Sequence, residues 1–431
     1  MRYRVPKVVF LVVFATAATV AMAEDKWVAT WAASPQAASF GFAPSKPAAG
    51  APKPAPAPDA AAKPAAKEVA SFFAVPGPLD DQTVRQVVRV SVGGKSLRVK
   101  VSNAHGAIPL VVGAARVALR DKGSAIKPGT DHALTFGGKA SFSIPPGALA
   151  VSDPVALAVE PLADLAISLF VTGEEPSPTV HLTGLHTTYV TKAGDFTKAA
   201  ELSDVTTLQA WYWIAEVDVL APADAATIVA FGDSITDGAT STPDKDQSWP
   251  SQLAVRLAAN KETAHVGIVN HGISGNQLLS DGAGYSALAR FDRDVLATPG
   301  VKWLVVLEGI NDIGMSSMMG GEVVSADAII GAQRQLIDRA HLHGVKVVGA
   351  TLLPYGGASY HSEKGEAVRQ AVNQWIRTGG AYDAVVDFDA KLRDPRNPGE
   401  MDPAYYINDH LHPNDAGYKL MADAFDLAIF K

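Results

Sequence analysis

The sequence predicts a β-rich, sandwich-like region over residues 24–220, followed over 225–431 by an α/β domain built on a parallel sheet covered by helices on both faces. Three observations predict it. From about Thr83 to Asp218, apolar and polar residues alternate with period two, with turn signals at short intervals and hardly any helical period. At about Ala225 the pattern changes to buried strands alternating with amphipathic helices, the arrangement of a parallel sheet. Polar, glycine-bearing loops follow the ends of those strands, where an open α/β sheet places its ligands.

In the first region, "KWVATWAASPQ" (26–36) reads as a short strand anchored by Trp27 and Trp31. "RVSVGGKSLRVKVSN" alternates on both sides of Gly93-Gly94 and predicts a hairpin turning there, with Leu97, Val99 and Val101 on one face and Arg98 and Lys100 on the other. "VALAVEPLADLAISLFV" (155–171) alternates in the same way. Trp211-Tyr212-Trp213 has two readings, interdomain packing or a stacking platform for sugars.

In the second region, "TIVAFG", "GIVNHGI", "VKWLVVLEG", "VKVVGATLL" and "AVVDFD" are the strands. Helices are expected at "WPSQLAVRLAAN" and over 325–343, 363–377 and 414–430.

Composition narrows the class. The 431 residues are 48% hydrophobic and 19% charged, with a net charge of -7, which argues against nucleic acid or an anionic membrane surface as a partner. Cysteine is absent, which excludes disulfides, thiol chemistry and Cys-ligated metal. Arg2, Arg4 and Lys7, the apolar run 8–20 and Ala21-Met22-Ala23 have the form of a cleaved export signal over 1–23, so an exported protein without stable membrane insertion is expected. The stretch 41–67, rich in proline and alanine, predicts a flexible insertion.

The chemistry lies in four loops: "FGDSITDG", "NHGISGN", "GIND" and "NDHLHPND". Acyl transfer needs a hydroxyl, a base, a group that orients the base, and donors for an oxyanion. Ser234 at a strand-to-helix turn offers the hydroxyl and its own N–H; His412 offers the base; Asp409 can hold the other imidazole nitrogen. Gly275 can bring a backbone N–H close to a substrate, and the Asn311 amide is a third donor. Taken singly each has a plainer role: Ser234 a helix cap, Gly275 a turn glycine, Asn311 a loop residue, Asp409 and His412 a surface pair or half a metal site, with His410 adding ambiguity. Their joint occurrence, in this order and at these strand ends, points to an active site. No G-x-S-x-G is present, which argues against a nucleophile elbow.

These blocks resemble the SGNH hydrolases, also called the GDSL esterase/lipase family, from about Thr227 to Lys431; Ile235 stands where the short name has Leu. The resemblance implies a flavodoxin-like three-layer domain with about five parallel strands. It also implies Ser234, Asp409 and His412, rather than His410, as the catalytic residues, and Ser234, Gly275 and Asn311 as the oxyanion hole. No metal and no cofactor are implied. "WVATWAASPQ" and "LRVKVSNAHGAIPLVVG" resemble secreted members with a β-rich module ahead of the hydrolase domain.

The expected reaction is ester hydrolysis, with short acetyl esters of polysaccharides as the favoured substrate. A general carboxylesterase or lysophospholipase, an inactive carbohydrate-binding protein and a metal-dependent deacetylase are the alternatives. Met315, Met318 and Met319 in "GMSSMMGG" (314–321), read as a loop, are candidates for an adaptable apolar substrate wall or for ordinary packing.

Overall fold

The computed structural model describes residues 24–38, 78–175, 178–318 and 322–431. The expected signal over 1–23, the insertion over 41–67 and Met319 lie outside the described residues.

The α/β region is built on five parallel strands: β1 (Ala226–Gly232), β2 (Val266–Gly272), β3 (Val301–Leu307), β4 (Lys346–Ala350) and β5 (Ala384–Val386). Their spatial order is β2-β1-β3-β4-β5, the flavodoxin-like order, so the chain reverses direction across the sheet beside β1. Every residue of β1 is buried, as expected of a central strand covered on both faces.

The helices include α1 (Ser234–Asp237), α2 (Trp249–Ala259), α3 (Ile310–Met318), α4 (Ala326–Leu342), α5 (Glu363–Thr378) and α6 (Asp415–Asp423). Ser325, Ser362 and Asn414 cap α4, α5 and α6 by accepting the N–H of Ala328, Gly365 and Gly417. Helix α2 packs on α6, and α4 on α5. Trp249 of α2 stacks on Phe425 with ring centroids 5.5 Å apart.

Three expected element boundaries are corrected. The last helix stops at Asp423, and a separate turn of 3-10 helix covers Leu427–Phe430, capped by Asp426. Phe425 and Phe430 are both buried; five positions along one straight helix would point them about 140° apart, so the chain bends to bury both. The strand expected in "AVVDFD" ends at Val386 because the Asp387 carboxylate accepts the Ala390 N–H and starts a helix over Phe388–Leu392. "GMSSMM" is not a loop up to Met318 but the body of α3. Gly314 makes this possible: a Cβ there would lie 2.3 Å from the Tyr360 ring.

In the β-rich region, antiparallel strands form a four-stranded sheet (Lys26–Ala32, Ile214–Ala221, Leu97–Ser102, Leu149–Val151), a seven-stranded sheet centred on Leu79–Arg89 and Asp164–Glu175, and a small sheet holding Thr179–His181. Buried residues of the two larger sheets join in one apolar cluster, among them Val84, Val99, Ile167, Leu169 and Val217.

The hairpin expected at Gly93-Gly94 does not form. Leu79–Arg89 pairs with Asp164–Glu175, whereas Leu97–Ser102 pairs with Ile214–Ala221, so the chain changes sheets at these glycines. The reason is close approach. A Cβ on Gly93 would sit 2.5 Å from the Val159 carbonyl, and one on Gly94 2.7 Å from Val219.

The strand Lys26–Ala32 serves both regions. Val28 and Trp31 enter the β-rich core, while Ala29 and Ala32 enter the α/β core. Thr227 Oγ1 donates to the Ala29 carbonyl, and the Ile268 N–H on edge strand β2 donates to Ser91 Oγ. A protein group thus covers the sheet edge, where open N–H groups would invite pairing with other chains. Trp211, Tyr212 and Trp213 are all buried; Trp211 meets Trp31 edge-on at 4.9 Å. A stacking platform for sugars needs an exposed face, which these rings lack.

Candidate active site

Three strand ends and one C-terminal loop meet above β1. Directly after β1, Asp233 accepts the Ile235 N–H through its carboxylate and starts α1, so Ser234 is the first helical residue. Ser234 is 6% exposed. Its Oγ lies 2.8 Å from His412 Nε2, and His412 Nδ1 lies 2.6 Å from Asp409 Oδ2. The other Asp409 oxygen accepts the N–H groups of Leu411 and His412, each at 3.0 Å. Asp409 therefore holds both the ring and the backbone of the loop that carries it. Burial works to raise the Asp409 carboxyl, but the hydrogen bond and charge of His412 outweigh it and hold the group below its ordinary value. An ionised acid on Nδ1 fixes the tautomer that leaves Nε2 free to take the serine proton.

The C-terminal loop is tied to the segment after α1. Thr240 Oγ1 donates to the Pro413 carbonyl, Tyr418 Oη to the Ala239 carbonyl, and the Thr242 N–H to Asp415. His410, the other candidate, has φ +57° and packs its ring against Tyr406 at 4.7 Å, and among the described residues its Nδ1 has no hydrogen-bond partner.

The loop after β2 packs on the end of β1 and on α1: Ile273 N–H donates to the Gly232 carbonyl, and Ser274 N–H to Asp237 Oδ2 at 2.9 Å. Gly275 follows with φ +80°, a left-handed conformation that favours glycine. Among the described residues, the N–H groups of Ser234 and Gly275 meet no protein acceptor. After β3, Gly309 (φ +125°) turns the chain into α3, and Asn311 stands in its first turn. Asn311 Nδ2 donates one hydrogen to the Asn276 carbonyl at 2.9 Å, and the Tyr360 hydroxyl lies 3.4 Å from Oδ1. These contacts orient the amide and leave its second N–H available.

Met315 lies in α3, where its Sδ accepts Gln277 Nε2 at 3.3 Å; Met318 at the end of α3 is 60% exposed.

Buried groups beyond the candidate catalytic and oxyanion residues hold this frame, Arg290 and Glu308 among them without any motif to mark them. Arg290 is 1% exposed and donates to the carbonyls of Gly232 (2.9 Å) and His271 (2.7 Å) and to Asn276 Oδ1 (2.8 Å), fixing the ends of β1 and β2 together. Asp312 accepts the N–H groups of Leu278 and Leu279. Burial pushes the carboxyls of Asp233, Glu308 and Asp312 upward, Asp233 to about 7. Asp237 was visible in "GDSITDG" as part of the motif, but nothing in the sequence points to its partner His181 in the β-rich region, 2.9 Å away.

Residues 230–420 match the family model described as the GDSL-like Lipase/Acylhydrolase family. No curated protein matches the chain. Solved structures similar to part of it include a GDSL-like lipase from Bacteroides thetaiotaomicron (21% identity, 47% of this chain and 87% of that one, TM-score 0.34). Two others are the enzyme LAE5 from the metagenome of Lake Arreo, Spain (22%, 47% and 95%, 0.37) and a catalytic mutant of the acetylxylan esterase Axe2 from Geobacillus stearothermophilus (21%, 47% and 93%, 0.37).

Proposed function

We infer, for a chain whose residues 230–420 match the GDSL-like lipase/acylhydrolase family, that it hydrolyses carboxylic esters through an acyl-enzyme on Ser234. The observation that carries this reading is the unbroken line from Asp409 to His412 to Ser234, with contacts of 2.6 and 2.8 Å. His412 Nε2 takes the Ser234 proton as Oγ attacks the ester carbonyl. The tetrahedral oxyanion is met by the N–H groups of Ser234 and Gly275 and the free amide hydrogen of Asn311. The C–O bond to the alcohol breaks as His412 returns the proton to it. Water then attacks the acyl-enzyme with His412 again as base, releasing the acid and restoring Ser234.

The substrate we propose is a short acyl ester, with acetylated polysaccharide as its natural form, acted on after export. The basic and apolar leader ending in Ala21-Met22-Ala23 supports export, and the β-rich region ahead of the hydrolase domain supports a polymeric substrate. Among the described residues no helix is long and apolar enough to cross a membrane.

Acetate release from acetylated xylan and pectin, compared with hydrolysis of p-nitrophenyl esters of increasing chain length, tests this reading. The expected result is a fall in kcat/KM beyond short acyl groups, together with acetate release from the polymer. A rise with chain length sinks the acetyl reading, and turnover that survives in Ser234→Ala sinks the mechanism.

A further inference from the structure

We propose that His181, in the β-rich region, is a positioning residue for ester hydrolysis: its ring holds Asp237, and Asp237 in turn fixes Ser274 and the Gly275 N–H that follows it. The proposal rests on the reading of Ser234 as nucleophile.

His181 is 3% exposed and stands between two acceptors. Nδ1 lies 3.0 Å from the Ser34 carbonyl and Nε2 2.9 Å from Asp237 Oδ1. The carbonyl can only accept, so Nδ1 carries a hydrogen, and a second hydrogen lies between Nε2 and Asp237 Oδ1; held on the ring, it makes the pair imidazolium with carboxylate. Burial disfavours that cation, but the Asp237 charge and hydrogen bond outweigh burial and raise the His181 pKa.

Asp237 ends the short helix that Ser234 begins. Its second oxygen accepts both the N–H (2.9 Å) and the hydroxyl (2.8 Å) of Ser274. Ser274 Oγ in turn lies 2.8 Å from Thr183 Oγ1, a second group from the β-rich region. Gly272 lets the two turns meet, since a Cβ there would lie 2.2 Å from the Asp237 nitrogen. The β-rich region thus reaches the loop that presents Gly275 through two side chains, both ending on the Asp237–Ser274 pair.

Without His181, Asp237 is a buried carboxylate that has lost its cation, and it turns toward other donors. Ser274 then loses its fixed acceptor, and Gly275, free of a Cβ, moves with it. A donor displaced by about 1 Å weakens binding of the transition state more than binding of the ester.

The full chain is assayed with p-nitrophenyl acetate, and turnover by wild type with its loss in Ser234→Ala first establishes the nucleophile. Absence of that difference means the reading of the site has failed, whatever His181 does. With it present, folded His181→Ala is expected to lose roughly 10- to 100-fold in kcat with KM within about twofold. The affinity for a boronic acid that forms the tetrahedral adduct falls in parallel, and His181→Gln, which keeps one donor toward Asp237, recovers part of both. A kcat within about twofold of wild type, a loss confined to KM, or unchanged boronic acid affinity overturns the proposal. If His181→Ala does not fold, Ser274→Ala, which removes one hydroxyl, decides: a fall in kcat at constant KM supports the proposal and unchanged kcat overturns it.

Discussion

Two clusters among the described residues set a serine hydroxyl directly against a histidine ring with an aspartate beside it. At the first, Asp409, His412 and Ser234 stand in line, with the histidine in the middle. At the second, Ser34 stands in the middle: its Oγ lies 3.0 Å from His271 Nδ1 and 2.9 Å from Asp294 Oδ2, and Arg290 Nη1 donates to it at 3.2 Å. Ser34 is wholly buried, whereas Ser234 retains 6% exposure and its histidine and aspartate reach solvent. Burial, reinforced by Arg290 and Arg293 against the opposing pull of Asp294, pushes His271 down to about 3, so it stays neutral and is a poor base. Residue types alone therefore do not define the chemistry. A relay needs the base between acid and hydroxyl, and a hydroxyl that a substrate can reach. The second cluster instead fastens the amino-terminal segment to the α/β core.

The comparison breaks most sharply on the serines. Ser234→Ala is expected to lower kcat by about 10⁴ or more, as in triads whose nucleophile is removed, while Ser34→Ala keeps kcat within about twofold. A fluorophosphonate followed by peptide mass spectrometry should modify Ser234 and leave Ser34 untouched; adduct on Ser34 would remove the distinction. Asn311→Ala, which deletes a donor we propose for the oxyanion and for which the second cluster has no counterpart, should cost about 10²–10³ in kcat. Steady-state kinetics on acetyl esters checks it.

The buried acids beneath the first cluster give a pH effect. Asp233 has its carboxyl raised chiefly by burial to about 7, against an ordinary value near 4. Between those values the folded protein holds a proton that the unfolded chain has released, so stability falls as pH rises through about 4 to 7, by up to about 4 kcal/mol. Asp233→Asn keeps an acceptor for the Ile235 N–H and removes the titration. Urea unfolding across pH 4–8 should show a flatter profile for this variant, with the gap to wild type opening toward pH 8. The smallest effect is at Ser34. Ser34→Ala leaves Asp294 and Arg290 one partner short and should lower stability by about 1–2 kcal/mol, read as a shift in urea midpoint at unchanged slope.

Much of the site was legible because its chemistry sits in short blocks at strand ends. "FGDSITDG" contains the turn, the cap and the hydroxyl together, and "DHLH" spaces acid and base so that one short loop carries both. Period-two and helical patterns marked the change at Ala225, and β1 to β4 lie where apolar runs predicted strands. Short-range competition set the misread boundaries: Asp387 and Asp426 cap their own backbone and cut the preceding elements short. The hairpin at Gly93-Gly94 failed for a long-range reason, since only the packing of Val159 and Val219 against those glycines shows that the chain crosses between sheets.

By itself, the sequence determined the fold class of the α/β region and put forward Ser234, Asp409 and His412 as candidates for its chemistry, because periodicity, caps and motifs are local properties of the chain. Tertiary structure decided which serine faces which histidine, since Ser34 and Ser234 are distinguished by partners far away in the sequence and by what covers them. It also decided that His181 stands against Asp237. Close packing of one region on the other makes that contact, and no pattern within either region encodes it.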